Sequence, residues 1–368
     1  MLSTAVSDTA PAAAPRPPLS RPKDRRRLIW VLAVLLVPFA LASLLIGPME
    51  LSLREVFGAI AERVFPFAVT TPTGDTVVWY LRLPRTLLAI VVGGGLAMAG
   101  ASMQGVFRNP LADPGIIGVS GGGAIGAITM MILVPKWVSP EFISTFNLYL
   151  TPLAAMVGAI LMTALIYTLS LRRGQVDLIS MLLVGIAINA LGGAFIGLLN
   201  TFVATAEELQ SVTFWTMGSL HRATWELIFA AALFILVPVF TLPRFARALN
   251  ALALGEEDAA HLGIDVRRVK RGIIALSASL VGASVALCGM IGFIALVAPH
   301  IVRVAIGADH RFLMPASALV GAALLLAADM AARVIVAPAE LSIGILTGLF
   351  GAPVFLSLII KRNRQHRA

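Results

Sequence analysis

The segment Gly118-Val119-Ser120-Gly121-Gly122 has the G-x-S-x-G spacing that presents a nucleophilic serine on a strand-to-helix turn. Here it opens a long apolar run, and neither a histidine nor an acid other than Asp113 lies near it in sequence. A serine hydrolase is therefore not supported. The glycine triplets at 93–95 and 121–123 are not followed by G-K-[ST], so neither is a phosphate-cradling loop. No ATP site of the chain's own is expected. The histidines are His221, His261, His300, His310 and His366, none with a second His or a Cys at metal-ligand spacing. Cys288 is the single cysteine, which permits no intrachain disulfide and makes no metal site alone. His221, within Gly218-Ser219-Leu220-His221-Arg222, reads either as a contact for an iron or haem substrate or as an ordinary interfacial histidine. No catalytic, cofactor-binding or metal residue is assigned.

The remaining candidates are polar groups in apolar surroundings. Ionisable groups inside a membrane are functional candidates by default. Asp329 falls near the end of an apolar run and Asp177 at a loop, so no carboxylate is expected at mid-span, which argues against ion-driven transport. Asn189, in Gly185-Ile186-Ala187-Ile188-Asn189, is the main polar residue deep in a run. It reads either as lining a pathway or as bonding across helices.

The elements that must carry these residues are membrane helices. Of 368 residues, 58% are hydrophobic and 13% charged, against about 25% charged in a soluble domain. The apolar runs are near 20 residues and lack the period-2 alternation of barrel strands. Ten spans are expected, at 28–47, 83–107, 115–135, 149–171, 178–200, 225–243, 272–290, 291–306, 312–332 and 341–360. The break at Gly289/Gly292 leaves the eighth short. With both termini inside, 21 of the 28 Lys/Arg residues face the cytoplasm, which is the positive-inside pattern. That pattern accounts for the net charge of +9 without nucleic acid. Residues 1–27 are expected to form a disordered basic cytoplasmic tail, 28–361 the transmembrane domain, and 362–368 a cytoplasmic tail. Glycines recur at four-residue spacing, as at Gly118, Gly122 and Gly126 and at Gly193 and Gly197. Such faces let helices approach closely, within one chain or between two.

Two loops stand out. The long cytoplasmic connection 244–271 contains Gly255, Glu256, Glu257, Asp258, Ala259, Leu262 and Gly263. These spell a short helix with acids in its first turn, where the helix dipole favours them. In a chain without an energy source, a structured cytoplasmic helix suggests docking to a motor subunit. Outside, Arg82 and Arg85 lie in Leu81-Arg82-Leu83-Pro84-Arg85, where the second span begins, and Arg333 follows the ninth. They run against the charge bias. Each could snorkel to lipid headgroups or receive carboxylates of a partner.

Several long motifs, in order from about Arg27 to Lys361, resemble the FecCD/BtuC-like permeases of ABC importers for iron-siderophores, haem and cobalamin. They are Leu81-Arg82-Leu83-Pro84-Arg85-Thr86, the run from Gly105 to Gly122 through Arg108-Asn109-Pro110-Leu111-Ala112-Asp113-Pro114-Gly115, the run Gly289 to His300, Ala339-Glu340-Leu341-Ser342-Ile343-Gly344, and Gly351-Ala352-Pro353-Val354-Phe355. The resemblance implies the all-α, ten-helix fold of a type II ABC importer permease in the bacterial inner membrane. It implies a second copy enclosing a central pathway, two cytoplasmic ATPase subunits holding ATP and magnesium, and a periplasmic binding protein. It assigns Arg82, Arg85 and Arg333 to binding-protein docking and Gly255–Gly263 to ATPase coupling. Asn189 with Gln175, Val176 and Asp177 falls to the translocation wall and cytoplasmic gate. The stretch Thr213–Leu220, with Trp225, looks closest to haem-importing relatives. Haem is the expected cargo, ferric siderophore or cobalamin the alternatives. An ion-coupled secondary transporter and a membrane enzyme are the rival classes.

Overall fold

The structure, a computed structural model, describes residues 21–64, 72–172 and 174–365. Its helices are α1 (Pro22–Leu45), α2 (Leu53–Val64), α3 (Pro72–Thr76), α4 (Leu83–Val106), α5 (Val119–Ile132), α6 (Pro140–Leu169), α7 (Leu178–Phe202), α8 (Ala206–Thr216), α9 (Trp225–Thr241), α10 (Ala246–Leu252), α11 (Glu256–His261), α12 (Val266–Cys288), α13 (Ile294–Ile306), α14 (His310–Val334) and α15 (Ile343–Gln365). Among the described residues eight stretches are long and apolar enough to cross a membrane, and α13 and α15 supply two shorter apolar stretches. Together these ten segments fall on the ten expected spans, and α15 as a whole runs 23 residues. At 13 residues, α13 is about 20 Å long, short of a hydrocarbon core of about 30 Å. The break before it is real: Gly289 and Phe293 both take positive φ.

Several helices extend beyond the limits that hydropathy alone sets. The first starts at Pro22, which suits a first helical position because its missing N–H is unneeded there. Lys23 to Arg27 therefore form its opening turns rather than a tail, while residues 1–20 lie outside the described segments. A π-helical stretch, Val77–Arg82, runs directly into α4, so the second span reaches back to Gly74. At its C-terminal end α9 continues through a 3-10 turn into α10. The only strands among the described residues, Leu171–Arg172 and Gln175–Val176, form an antiparallel hairpin.

Burial is concentrated in α4 and α12, while α1, α7 and α9 keep most of their surface exposed. Close backbone approach makes this possible. A Cβ at Gly93 would overlap the Gly321 carbonyl of α14, and one at Gly122 would overlap that of Gly158 on α6. The stripe Gly118/Gly122/Gly126 is thus packing within the chain. Gly193 and Gly197 on α7 differ: nothing among the described residues lies within 4 Å of a Cβ built there.

Candidate functional site

At the end assigned outside by the charge bias, the three arginines singled out in the sequence are brought together, but they are buried. Arg82, Arg85 and Arg333 are 5%, 8% and 3% exposed, and Asp329 is wholly buried among them. Arg85 Nε donates to Asp329 Oδ1 at 2.7 Å, and its Nη1 reaches both Glu340 oxygens at 2.9 Å. Arg333, one turn after Asp329, pairs with it at 3.0 Å and donates to the Ser43 carbonyl and hydroxyl at 3.1 and 2.9 Å. Arg82 donates to the Leu44, Leu45 and Met49 carbonyls at and just beyond the end of α1. These groups tie α1, α4 and α14 into one block. Hydropathy puts Asp329 near a helix end and gives no sign that it is a buried acid. The i,i+4 spacing of Asp329 and Arg333 is the signal the sequence does carry.

Beside this cluster a cavity of about 690 Å³ opens between α6, α8, α9, the end of α12 and the Glu340 loop. Phe214, Trp215 and Ser219 of the stretch Thr213–Leu220 line it, together with His221 and Arg222 just beyond. Trp225 does not. Its indole N–H donates to the Trp79 carbonyl at 2.8 Å and its ring packs on Trp79.

At the opposite end, α11 begins at Gly255, whose φ of 148° favours glycine, and ends at Leu262 and Gly263. Ala259 is buried, while Leu254 and Leu262 project outward. Glu256 is not free: Lys270 of α12 reaches it at 2.6 Å. Gln175 and Val176 line one cleft of about 220 Å³ with Glu256, Glu257, Arg267 and Lys270. The residues expected at the gate and at the motor contact are therefore neighbours, which sequence distance conceals. Asp177 caps α7 by accepting from Ile179 N, and its bond from Ser180 at 2.5 Å holds its carboxyl below the ordinary range. Asn189 lies deeper. Its Oδ1 fits where a Gly121 side chain would be and has no hydrogen-bond partner among the described residues.

A second polar cluster, without a signal in the sequence, joins α4, α10, α13 and α14 near the same end. Asn250 Oδ1 accepts from His310 N at 2.9 Å, and its Nδ2 donates to Asp309 Oδ1 at 2.7 Å. Arg303 donates to Gln104 at 2.8 Å. Burial would raise the Asp309 carboxyl, but bonds from Arg311 and Asn250 outweigh it and hold it at about 2. Among the described residues no group of three or more His, Cys, Asp or Glu is placed to hold a metal.

The profile of the FecCD transport family matches residues 34–361. The hemin transport system permease protein of Yersinia pestis is 44% identical over 343 residues, covering 92% of this chain and 97% of that one. The cobalamin import system permease protein of Halobacterium salinarum is 37% identical over 386 residues, covering 95% and 100%. A solved inward-facing metal-chelate type ABC transporter superposes with a TM-score of 0.78 at 34% identity, covering 91% of this chain and 99% of that one.

Proposed function

The chain belongs to the FecCD transport family, as a multi-pass permease of ABC importers in the bacterial inner membrane, and from that premise we propose that its cargo is haem. The observation that carries this reading is the 44% identity to a hemin permease over nearly its whole length, against 37% and 36% for cobalamin relatives. A ferric siderophore and cobalamin are the alternatives.

In this proposal ATP and magnesium are held by a cytoplasmic ATPase dimer, and this chain contributes no ATP chemistry. The ATPase seats on α11. A push there passes through Glu256–Lys270 into α12 and across the shared cleft to Gln175 and Val176, which lead into α7. A second copy covers the α7 face that carries Gly193 and Gly197, and Asn189 belongs to the wall between them. A periplasmic binding protein docks at the outer arginines. Because all three are already paired, its carboxylate reaches Arg85 by displacing Glu340, whose side chain is 35% exposed; Arg82 and Arg333 hold the frame.

The test is ATP-dependent uptake in proteoliposomes containing the chain, its ATPase and haem-loaded binding protein. Haem accumulation that requires ATP is expected. Uptake of a ferric siderophore with haem left outside would overturn the cargo and keep the importer. Uptake of either cargo without ATP, driven by an ion gradient, would overturn the class. Replacing Glu256, Glu257 and Asp258 with Lys is expected to abolish cargo-stimulated ATP hydrolysis.

A further inference from the structure

The outer cavity has the composition of a ligand site. Such sites run to about 300–1,000 Å³, mostly apolar, with a few convergent polar groups, and this one measures about 690 Å³. Phe214 and Trp215 supply aromatic surface on one side. Of the three acids on its lining, Glu207 is exposed, while two are neutralised from within the chain before any partner docks: Glu340 by Arg85 at 2.9 Å, and Glu208 by Lys136 at 3.7 Å and by the N-terminus of α8, which it helps to cap.

His221 is the imidazole on this lining. Its Nδ1 lies 2.6 Å from Ser219 Oγ. That serine is anchored in turn, because Ser219 N donates to the Cys288 carbonyl at 2.7 Å. The neighbouring Gly218 and Met217 carbonyls accept from Ile343 and Gly344 at 3.0 Å each. The loop is thus clamped between the end of α12 and the start of α15. His221 is exposed, and its hydrogen bonds among the described residues run through Nδ1 and the backbone N, not Nε2. Partial burial, then Arg222, hold the ring below its ordinary pKa, so at neutral pH the imidazole keeps the lone pair that a metal ligand needs. A ring whose second nitrogen is fixed by a hydrogen bond is the usual arrangement of a metal-ligating histidine.

We propose that this vestibule is a way-station for an iron tetrapyrrole, with His221 Nε2 binding an open axial position of the iron, the aromatic wall of Phe214 and Trp215 against one side of the macrocycle and Arg222 pairing with an acidic substituent. The proposal rests on the haem reading above. It also explains discrimination: an iron already enclosed by six siderophore oxygens has no position for His221. The axial bond forms by donation of the Nε2 lone pair to iron with loss of a weak ligand such as water, and no redox change.

The full chain in lipid nanodiscs is titrated with ferric haem and, separately, with iron-free protoporphyrin while the Soret band is followed. Wild type is expected to give a shifted, imidazole-type haem spectrum and a weaker, unshifted response to protoporphyrin. His221→Gln is expected to lose the shift and weaken haem binding at least ~10-fold, and Ser219→Ala to weaken it by about the same factor while keeping part of the shift. A His221→Gln spectrum like that of wild type overturns the site, even where proteoliposomes still import haem and the cargo reading stands. Loss of the shift in His221→Gln with haem import abolished supports both. Failure of wild type to import haem at all overturns both.

Discussion

At the outer end Arg85, Asp329, Arg333 and Glu340 close on one another, whereas at the cytoplasmic end Arg303 finds only the neutral Gln104. Its Nη1, and the Nε2 of Gln104, have no partner among the described residues. Both clusters join helices through charge in a medium of low dielectric. In the first, two carboxylates answer two arginines, and removing any member strands another. In the second a half-buried cation stands without a counter-ion among the described residues, in the part of the molecule that adjoins α10 and the long 244–271 connection. A fully satisfied buried network rigidifies and specifies one arrangement, and a partly satisfied one specifies it less. The contrast marks the outer end as the more firmly tied of the two.

The largest expected effect comes from Asp329→Asn. It leaves Arg333 without its paired carboxylate and Arg85 with one, and breaking such a buried pair costs about 3–5 kcal/mol. Thermal unfolding in detergent should drop sharply, and Arg333→Gln added to it should recover part of the loss; a small drop would mean that the cluster is not the frame. Asp309 comes next. With a folded value at about 2 and an unfolded one near ~3.9, its charge stabilises the fold above the unfolded value. That contribution fades as pH falls from about 4 through about 2. After allowance for solvent screening it is on the order of 1 kcal/mol. The Asp309→Asn variant should therefore differ from wild type in melting temperature at pH 7 and converge with it near pH 2. The smallest net effect belongs to Arg303→Met, which removes a half-buried cation without a counter-ion but strands the buried Gln104 Oε1; the two changes oppose each other and should leave stability within about 1 kcal/mol. A loss as large as that of Asp329→Asn would erase the distinction between the two ends.

How much of this is legible in the sequence varies by residue. The α11 helix is readable because Gly255, the acids at 256–258 and Gly263 are all local signals, and the helix begins and ends where they lie. The membrane class is readable because composition is additive along the chain. Arg82 and Arg85 are recognisable as exceptions to the charge bias. That Arg85 is buried is not, because its partners Asp329 and Glu340 lie more than 240 residues away. His221 is visible as a residue and invisible as a site, since its cavity is walled by five separate segments. The two glycine stripes look alike in sequence. Only the position of α6 against α5, and of nothing described against Gly193 and Gly197, tells them apart.

The sequence by itself determined the membrane class and the family, because hydropathy and ordered motifs depend on residues near one another in the chain. The tertiary structure alone decided which charges are spent on holding helices together and which remain open. Burial and pairing depend on what the fold brings from a distance, and in a medium without water that partner sets whether an arginine is a strut or a site.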